Sequence, residues 1–135
     1  MAGNIYLLDT HCLIWFQENN PKIPEQVMKL IQQSDNVVFF SQISLFEITI
    51  KQKVGKLPAF NATIEEIYDQ AINDGFTFLQ IQNQHIYNYN QIPLLTDHRD
   101  PFDRLLIATA LQENAIILSA DEQLQRYSDT VNVFW

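Results

Sequence analysis

Short, largely apolar runs alternate along the chain with longer stretches that have helical character. The runs at 5–8, 37–40 and 115–118 are apolar throughout and do not alternate with polar residues, which is typical of strands buried on both faces. The predicted strands are 5–8, 37–40, 76–81, 115–118 and 131–133. The predicted helices, placed by apolar spacing and by capping and breaking residues, are 11–17, 24–33, 41–54, 63–75, 84–91, 100–113 and 122–126. Strands that alternate with helices in this way predict an α/β fold with a parallel sheet and helices on both faces.

The length and composition favour one packed domain. The chain has 135 residues, 47% of them hydrophobic, with no internal repeat or linker-like tract, so we expect a single domain over residues 1–135. No apolar stretch reaches the length of a membrane span, and no secretory signal is recognisable, so we expect a cytoplasmic protein without membrane contact. Cys12 is the only cysteine, which excludes an intramolecular disulfide and gives no support for a cysteine-ligated zinc site.

Two aspartates follow predicted strands. Ligands of parallel α/β folds bind beyond the carboxyl ends of the strands. Asp9 comes directly after the first strand, and Asp121 comes three residues after the end of the fourth. Each also has an ordinary structural explanation, because Asp9 could cap the next helix and Asp121 could favour a helix dipole within a capping box from Ser119.

Glu47 lies on an apolar face of its predicted helix. An unpaired buried carboxylate costs several kcal/mol, which is of the order of a domain's whole stability, so a glutamate here needs a reason. A capping box that begins at Ser44 is the structural alternative, and Ser41 is an equally good helix start. The apolar neighbours at helical spacing are Ile43, Ile50 and Val54.

Asp103 is the corresponding case in the late helix. Asp100 before Pro101 is a plausible N-cap, which would place Asp103 at the third helical position, near the positive end of the dipole. That placement is its structural alternative. The residues that share its helical face are nevertheless apolar: Ile107, Ala110 and Leu111.

A parallel sheet would bring these four acids to one edge. Carboxylates within a few ångström raise one another's pKa unless cations lie among them, and Mg²⁺ or Mn²⁺ prefers all-oxygen ligation. The formal net charge of −8 argues against bulk electrostatic binding of nucleic acid. Four converging acids would supply half of this negative charge, and two bound divalent cations would offset those four charges. The remaining negative charge would suit a surface that meets a basic partner.

The same residues carry a resemblance to a known family. The segments LLDTH (7–11), SLFEI (44–48), HRDPFDRLLIA (98–108) and LSAD (118–121) resemble, in order, the motifs of PIN-domain proteins. More narrowly, they resemble the VapC-type toxins of bacterial toxin–antitoxin systems. The resemblance spans essentially the whole chain. It implies a three-layer α/β/α fold with a mostly parallel sheet of about five strands.

The resemblance also implies a chemistry. PIN domains cleave RNA with Mg²⁺ or Mn²⁺, through a metal-activated water that leaves a 5′-phosphate and a 3′-hydroxyl. Their ligand positions correspond here to Asp9, Glu47, Asp103 and Asp121. Ser119 corresponds to a hydroxyl that orients ligands, and Asp100 to a fifth acid that acts behind the ligands or as a cap. A homodimer and a cognate antitoxin protein are the partners that the resemblance implies, besides RNA.

Four basic residues near the acids are candidates for contact with RNA phosphates, namely Lys51, Lys53, Arg99 and Arg104. A solvated helix end explains the lysines equally well, and pairing with Asp100 explains the arginines.

Two rival functions are less well supported by the sequence. A haloacid-dehalogenase-like phosphatase would need a second aspartate two residues after Asp9, where the chain has His11. A catalytically silent PIN-like module that acts through a protein partner would keep the fold without turnover. His11 itself, on a mostly apolar helix, is expected to be a packed residue.

Overall fold

The computed structural model describes residues 3–95, 97–98 and 100–135. In chain order the elements are β1 (Ile5–Leu8), α1 (Thr10–Gln17), α2 (Glu25–Gln32), β2 (Val37–Ser41), α3 (Gln42–Lys53), α4 (Ile64–Asn73), β3 (Thr77–Leu79), α5 (Asn83–Tyr89), α6 (Pro101–Glu113), β4 (Ile116–Leu118), α7 (Glu122–Gln125) and β5 (Val133–Phe134). In the described part of the chain, no helix is both long and apolar enough to cross a membrane.

The five strands form one parallel sheet in the order β3-β2-β1-β4-β5. The first strand therefore lies in the centre, between β2 and β4, and Asp9 follows it directly. Because connections to parallel neighbours must cross over a face of the sheet, helices cover both faces. The predicted α/β class, the parallel sheet and the number of strands are confirmed.

Two apolar clusters lie on opposite faces of the sheet and make three layers. Successive residues of β1 alternate between them, since Tyr6 and Leu8 pack with α1, α2 and α4 whereas Leu7 packs with α5 and α6. Helix α3 contributes to both clusters, with Ile48 on one side and Ile43 on the other. It therefore lies across the edge of the sheet where the strands end.

The last strand differs from the prediction by its position. It spans Val133–Phe134, whereas Val131 is buried in the core before the strand begins. The register explains the shift, because Val133 pairs with Ile117 and Phe134 with Leu118 at the end of β4. A segment as short as the three residues 131–133 does not show which residue enters the ladder.

Candidate active site

Asp9 is a buried carboxylate at the carboxyl end of the central strand. Its Oδ1 accepts a hydrogen bond from the backbone N–H of Cys12 at 2.7 Å and so caps α1. Its Oδ2 accepts a hydrogen bond from the hydroxyl of Ser119. Burial raises the pKa of Asp9 from 3.8 to about 6, although these two hydrogen bonds oppose the rise. The capping role is therefore real, but it leaves a buried carboxylate that is costly to ionise.

Ser119 connects two of the predicted site residues. Its side chain is fully buried, and its Oγ donates to Asp9 and accepts from the backbone N–H of Asp121 at 3.0 Å. Asp121 in turn caps α7 by accepting from the N–H of Gln123 at 2.9 Å. The ends of β1 and β4 thus carry their acids side by side, with one hydroxyl between them.

Glu47 reaches the same edge from α3. Its Oε1 accepts a hydrogen bond from the hydroxyl of Thr10 at 2.6 Å, and its Oε2 lies 3.2 Å from Nζ of Lys51. The capping-box explanation for Glu47 is wrong, because Ser41 caps α3 and Glu47 lies well inside the helix. Its partners tie α3 to the residue that follows Asp9.

Asp103 lies at the third position of α6, the placement that its structural alternative describes. Its Oδ2 is 3.0 Å from Nε2 of His98. Burial raises the pKa of Asp103 from 3.8 to about 6, with smaller contributions from the charges of Asp100, Asp121 and Glu47, and the hydrogen bond to His98 opposes the rise. The structure thus places Asp103 within the electric field of the other acids.

Asp100 is the exposed N-cap of α6. Its Oδ1 accepts from the N–H groups of Phe102 and Asp103 at 2.9 and 3.2 Å. The capping explanation is therefore correct for Asp100, which also reaches the rim of the site.

One depression of about 110 Å³ collects these side chains. A second depression of about 240 Å³ adjoins it and shares Asp9, His11 and Asp121, with Trp15 and Ala120 as its other walls. We call the first the acidic groove. It is lined by Asp9, Thr10, His11, Glu47, Lys51, Asp100, Asp103 and Asp121. The four predicted acids thus line one depression in the structure.

The donor set of the acidic groove suits a hard divalent cation. The acids present only oxygen, and burial together with neighbouring negative charges raises the pKa of Asp9 and Asp103, an effect that a cation would oppose. The described residues nevertheless contain no group of three or more acidic, histidine or cysteine side chains already arranged to hold a metal. Lys51, Ser119 and His98 each hold one of the acids in this arrangement. The residues fit Mg²⁺ or Mn²⁺ in kind, and the ion pair of Lys51 with Glu47 would compete with it.

Comparison with known proteins settles the family. A sequence model of the PIN domain matches residues 6–129 of this chain. The chain belongs to the PIN domain family. No curated protein sequence matches it significantly.

Several solved structures are similar to this PIN domain. VapBC2 from Rickettsia felis, bound to a DNA fragment from their promoter, has 16% identity and a TM-score of 0.69, covering 96% of this chain and 97% of that one. VapBC-1 from nontypeable Haemophilus influenzae has 21% identity and a TM-score of 0.67, covering 96% of each chain. FitAcB from Neisseria gonorrhoeae has 21% identity and a TM-score of 0.62, also covering 96% of each. At these identities the likeness shows the fold.

The four basic candidates of this PIN domain occupy different environments. Lys51 lines the acidic groove, whereas Lys53 is exposed at the end of α3 and does not line it. Arg104 is buried and donates to the carbonyl oxygens of Ile92 and Pro93, so the prediction that it contacts RNA is wrong. Its position beside Asp103 in sequence was misleading, since neighbouring residues on a helix point in different directions. Arg99 lies outside the described residues.

Two groove residues of this PIN domain, and a third residue that lies behind Asp103, were missed or misjudged from sequence. Thr10 was read as part of a motif, but not as the hydroxyl that holds Glu47. His11 was expected to pack in the core, yet it is exposed and lines both depressions. His98 was noted beside the acids without a role, and it contacts Asp103 directly. The only sequence signal was adjacency to an acid, which does not name the partner.

Proposed function

We propose that this PIN domain is an endoribonuclease that hydrolyses RNA phosphodiester bonds with Mg²⁺ or Mn²⁺, and that it is the toxin of a type II toxin–antitoxin pair. The observation that carries the proposal is the acidic groove, where four carboxylates from separate elements meet. An acidic cluster of this kind is unfavourable without cations and suits metal-dependent phosphoryl chemistry.

Asp9, Glu47, Asp103 and Asp121 would hold the cation directly or through water. When bound, the ion supplies an activated water and positive charge for cleavage to a 5′-phosphate and a 3′-hydroxyl. The proposed hydrolysis needs no covalent intermediate between the RNA and these acids. Lys51 lies at the groove wall, where its ammonium group can exchange Glu47 for an RNA phosphate.

Residues beside the acidic groove favour a nucleic acid substrate over phosphodiesters that carry no bases. Trp15 and His11 form an aromatic wall of the second depression, with ring centroids 5.9 Å apart. Aromatic side chains next to a phosphate site stack the bases of single-stranded RNA. Lys22 lies over the Trp15 ring, 5.2 Å from its centroid, and adds positive charge to this side.

An exposed apolar stripe on α3 supports a protein partner. Phe46, Ile50 and Val54 follow one another at helical spacing beside Glu47 and Lys51, and all three are exposed. We assign a cognate antitoxin and a second copy of the chain as the partners. With RNA as its substrate, the protein would work in the cytoplasm.

Cleavage assays with metal-matched controls test the enzyme. Purified protein is incubated with a pool of structured and unstructured RNAs in Mn²⁺ or in EDTA, and the new ends are assigned by 5′-phosphate-dependent exonuclease digestion. We expect cleavage in Mn²⁺ only, and its loss in Asp9→Asn and Asp103→Asn. Asp69→Asn, at an exposed position of α4, is the matched control and should cleave normally. Cleavage that survives EDTA or either acid variant would refute the metal mechanism.

The silent binding module is the second candidate. It is favoured by the ion pair and hydrogen bonds that already engage Glu47, Asp9 and Asp103. Wild-type protein that binds a protein partner but releases no fragment from any RNA in Mn²⁺ would support it. Induced expression without a partner should slow bacterial growth if the toxin role is correct, and unimpaired growth would contradict that role while leaving the nuclease intact.

A further inference from the structure

A buried chain of side chains leads away from Asp103 into the protein. Nε2 of His98 lies 3.0 Å from Oδ2 of Asp103, and its Nδ1 lies 2.8 Å from the hydroxyl of Tyr127. Nη1 of Arg104 lies 3.4 Å from the same hydroxyl. His98 is 7% exposed, Arg104 4% and Tyr127 2%, so water has little access to these contacts.

The direction of this hydrogen-bond chain follows from the chemistry of its members. Arginine can only donate, so the Tyr127 oxygen accepts from Arg104. The tyrosine proton then needs an acceptor, because a buried unsatisfied O–H is costly, and among the described residues Nδ1 of His98 is the partner that can accept it. Nδ1 therefore carries no proton, which places the imidazole proton on Nε2, and Nε2–H donates to Asp103.

The hydrogen-bond chain also connects α6, which carries Asp103, with α7, which Asp121 caps. Tyr127 follows α7, whose first turn is capped by Asp121, and its N–H donates to the carbonyl of Leu124 at 3.1 Å. Arg104 lies next to Asp103 on α6 and is fixed by the carbonyl oxygens of Ile92 and Pro93 at 2.9 and 2.6 Å. A rigid link from α7 through His98 to α6 therefore sets where the two carboxylates stand relative to each other.

We propose that Arg104, Tyr127 and His98 form a one-way donor chain that positions the carboxylate of Asp103 for a divalent cation. The hydrogen-bond chain engages Oδ2 of Asp103 and so fixes the orientation of the carboxylate that would help to hold the ion. These residues are positioning residues, since they act through Asp103. The positioning role rests on the proposed function, whereas the direction of the chain can be read in metal-free protein. Partners behind a metal ligand commonly change metal affinity by about 10- to 100-fold when they are removed.

Two tyrosines that both contact Arg104 provide a matched pair of variants. Tyr127→Phe removes the hydroxyl and keeps a ring that packs edge-on against His98, with centroids 5.5 Å apart. Tyr89→Phe removes the other hydroxyl partner of Arg104, which accepts from Nε at 3.3 Å, without interrupting the chain. Both variants keep the two carbonyl partners of Arg104, so both should fold.

The first measurement is the histidine tautomer, by ¹⁵N NMR of the imidazole rings in metal-free protein. The chain has three histidines, so a His98→Gln variant assigns the signal. We expect wild type and Tyr89→Phe to show the His98 proton on Nε2, and Tyr127→Phe to shift both ring nitrogens. A wild-type spectrum with the proton on Nδ1, or one that Tyr127→Phe leaves unchanged, would refute the proposed direction of the hydrogen-bond chain.

The second measurement is Mn²⁺ affinity, by titration calorimetry without RNA. We expect Tyr127→Phe and His98→Leu to bind about 10- to 100-fold more weakly than wild type. Tyr89→Phe should bind like wild type, and His98→Gln should be close to it because its amide can still donate to Asp103. Equal affinities for Tyr127→Phe and Tyr89→Phe would refute the positioning role. A correct tautomer in wild type without any Mn²⁺ binding would instead refute the metal site, and the positioning role with it. Mn²⁺ binding without RNA cleavage would leave the positioning role standing and refute the nuclease.

Discussion

Asp9→Asn should make the metal-free protein more stable at pH 8. The substitution keeps an oxygen that can accept from the N–H of Cys12, and it places an amide next to the Ser119 hydroxyl, which can accept from it. What it removes is a charge in a buried position. A variant that destroys the proposed active site would thus strengthen the fold, as is common where function conflicts with stability.

The pKa of Asp9 sets the magnitude. Folding raises that pKa from 3.8 to about 6, so between these values the folded protein binds the proton more tightly than the unfolded chain. The stability that the protonated group provides is complete below pH 3.8 and is lost as the pH rises through 6. At 1.36 kcal/mol per pKa unit, the ionised carboxylate costs about 3 kcal/mol at pH 8. The difference from the variant should shrink to about 1 kcal/mol at pH 4.5.

Urea unfolding in EDTA, followed by circular dichroism between pH 4.5 and 8, measures this difference. Asp69→Asn is the control, because an exposed carboxylate on α4 should change the free energy of unfolding by less than about 0.5 kcal/mol. Adding Mn²⁺ should then stabilise wild type and the control but not Asp9→Asn. A variant that is no more stable than wild type at pH 8 would refute the argument that the ionised carboxylate of Asp9 lowers the free energy of unfolding.

Three further changes have distinct expected results. Ser119→Ala removes the donor to Asp9, so we expect the pKa of Asp9 to rise further and the cleavage rate to fall about 10- to 100-fold at neutral pH, measured as initial rates. Lys51→Met frees Glu47 from its ion pair, so Mn²⁺ should bind more tightly in calorimetry while the KM for RNA rises. Weaker Mn²⁺ binding would contradict the inference that Lys51 competes with the cation for Glu47. Thr63→Ala breaks the capping box of α4, far from the groove, and should cost about 1 kcal/mol in urea unfolding without changing the cleavage rate.

Much of the fold could be predicted from local pattern. The runs at 5–8, 37–40 and 115–118 are apolar throughout, so they indicated buried parallel strands, and Asp9 and Asp121 followed from where two of them end. Glu47 and Asp103 stood out because each is charged on a helical face that is otherwise apolar in sequence. For Glu47 the expectation of a buried face was only partly correct, since Ile43 is buried but Ile50 and Val54 are exposed. These inferences need only periodicity and the cost of burying charge, which are properties of short segments.

The partners of each acid were decided by tertiary structure alone. Thr10 and Glu47 are 37 residues apart, Ser119 and Asp9 are 110 apart, and His98 and Tyr127 are 29 apart. Sequence spacing contains no information about such contacts, because they depend on the strand order β3-β2-β1-β4-β5 and on how α3, α6 and α7 pack at its edge. Arg104 shows the same limit, since its type suggested RNA contact, but packing turned it inward to meet buried carbonyl oxygens. The amino-acid sequence by itself determined which carboxylates reach the end of the sheet. Only the tertiary structure decided which neighbouring residues hold them there.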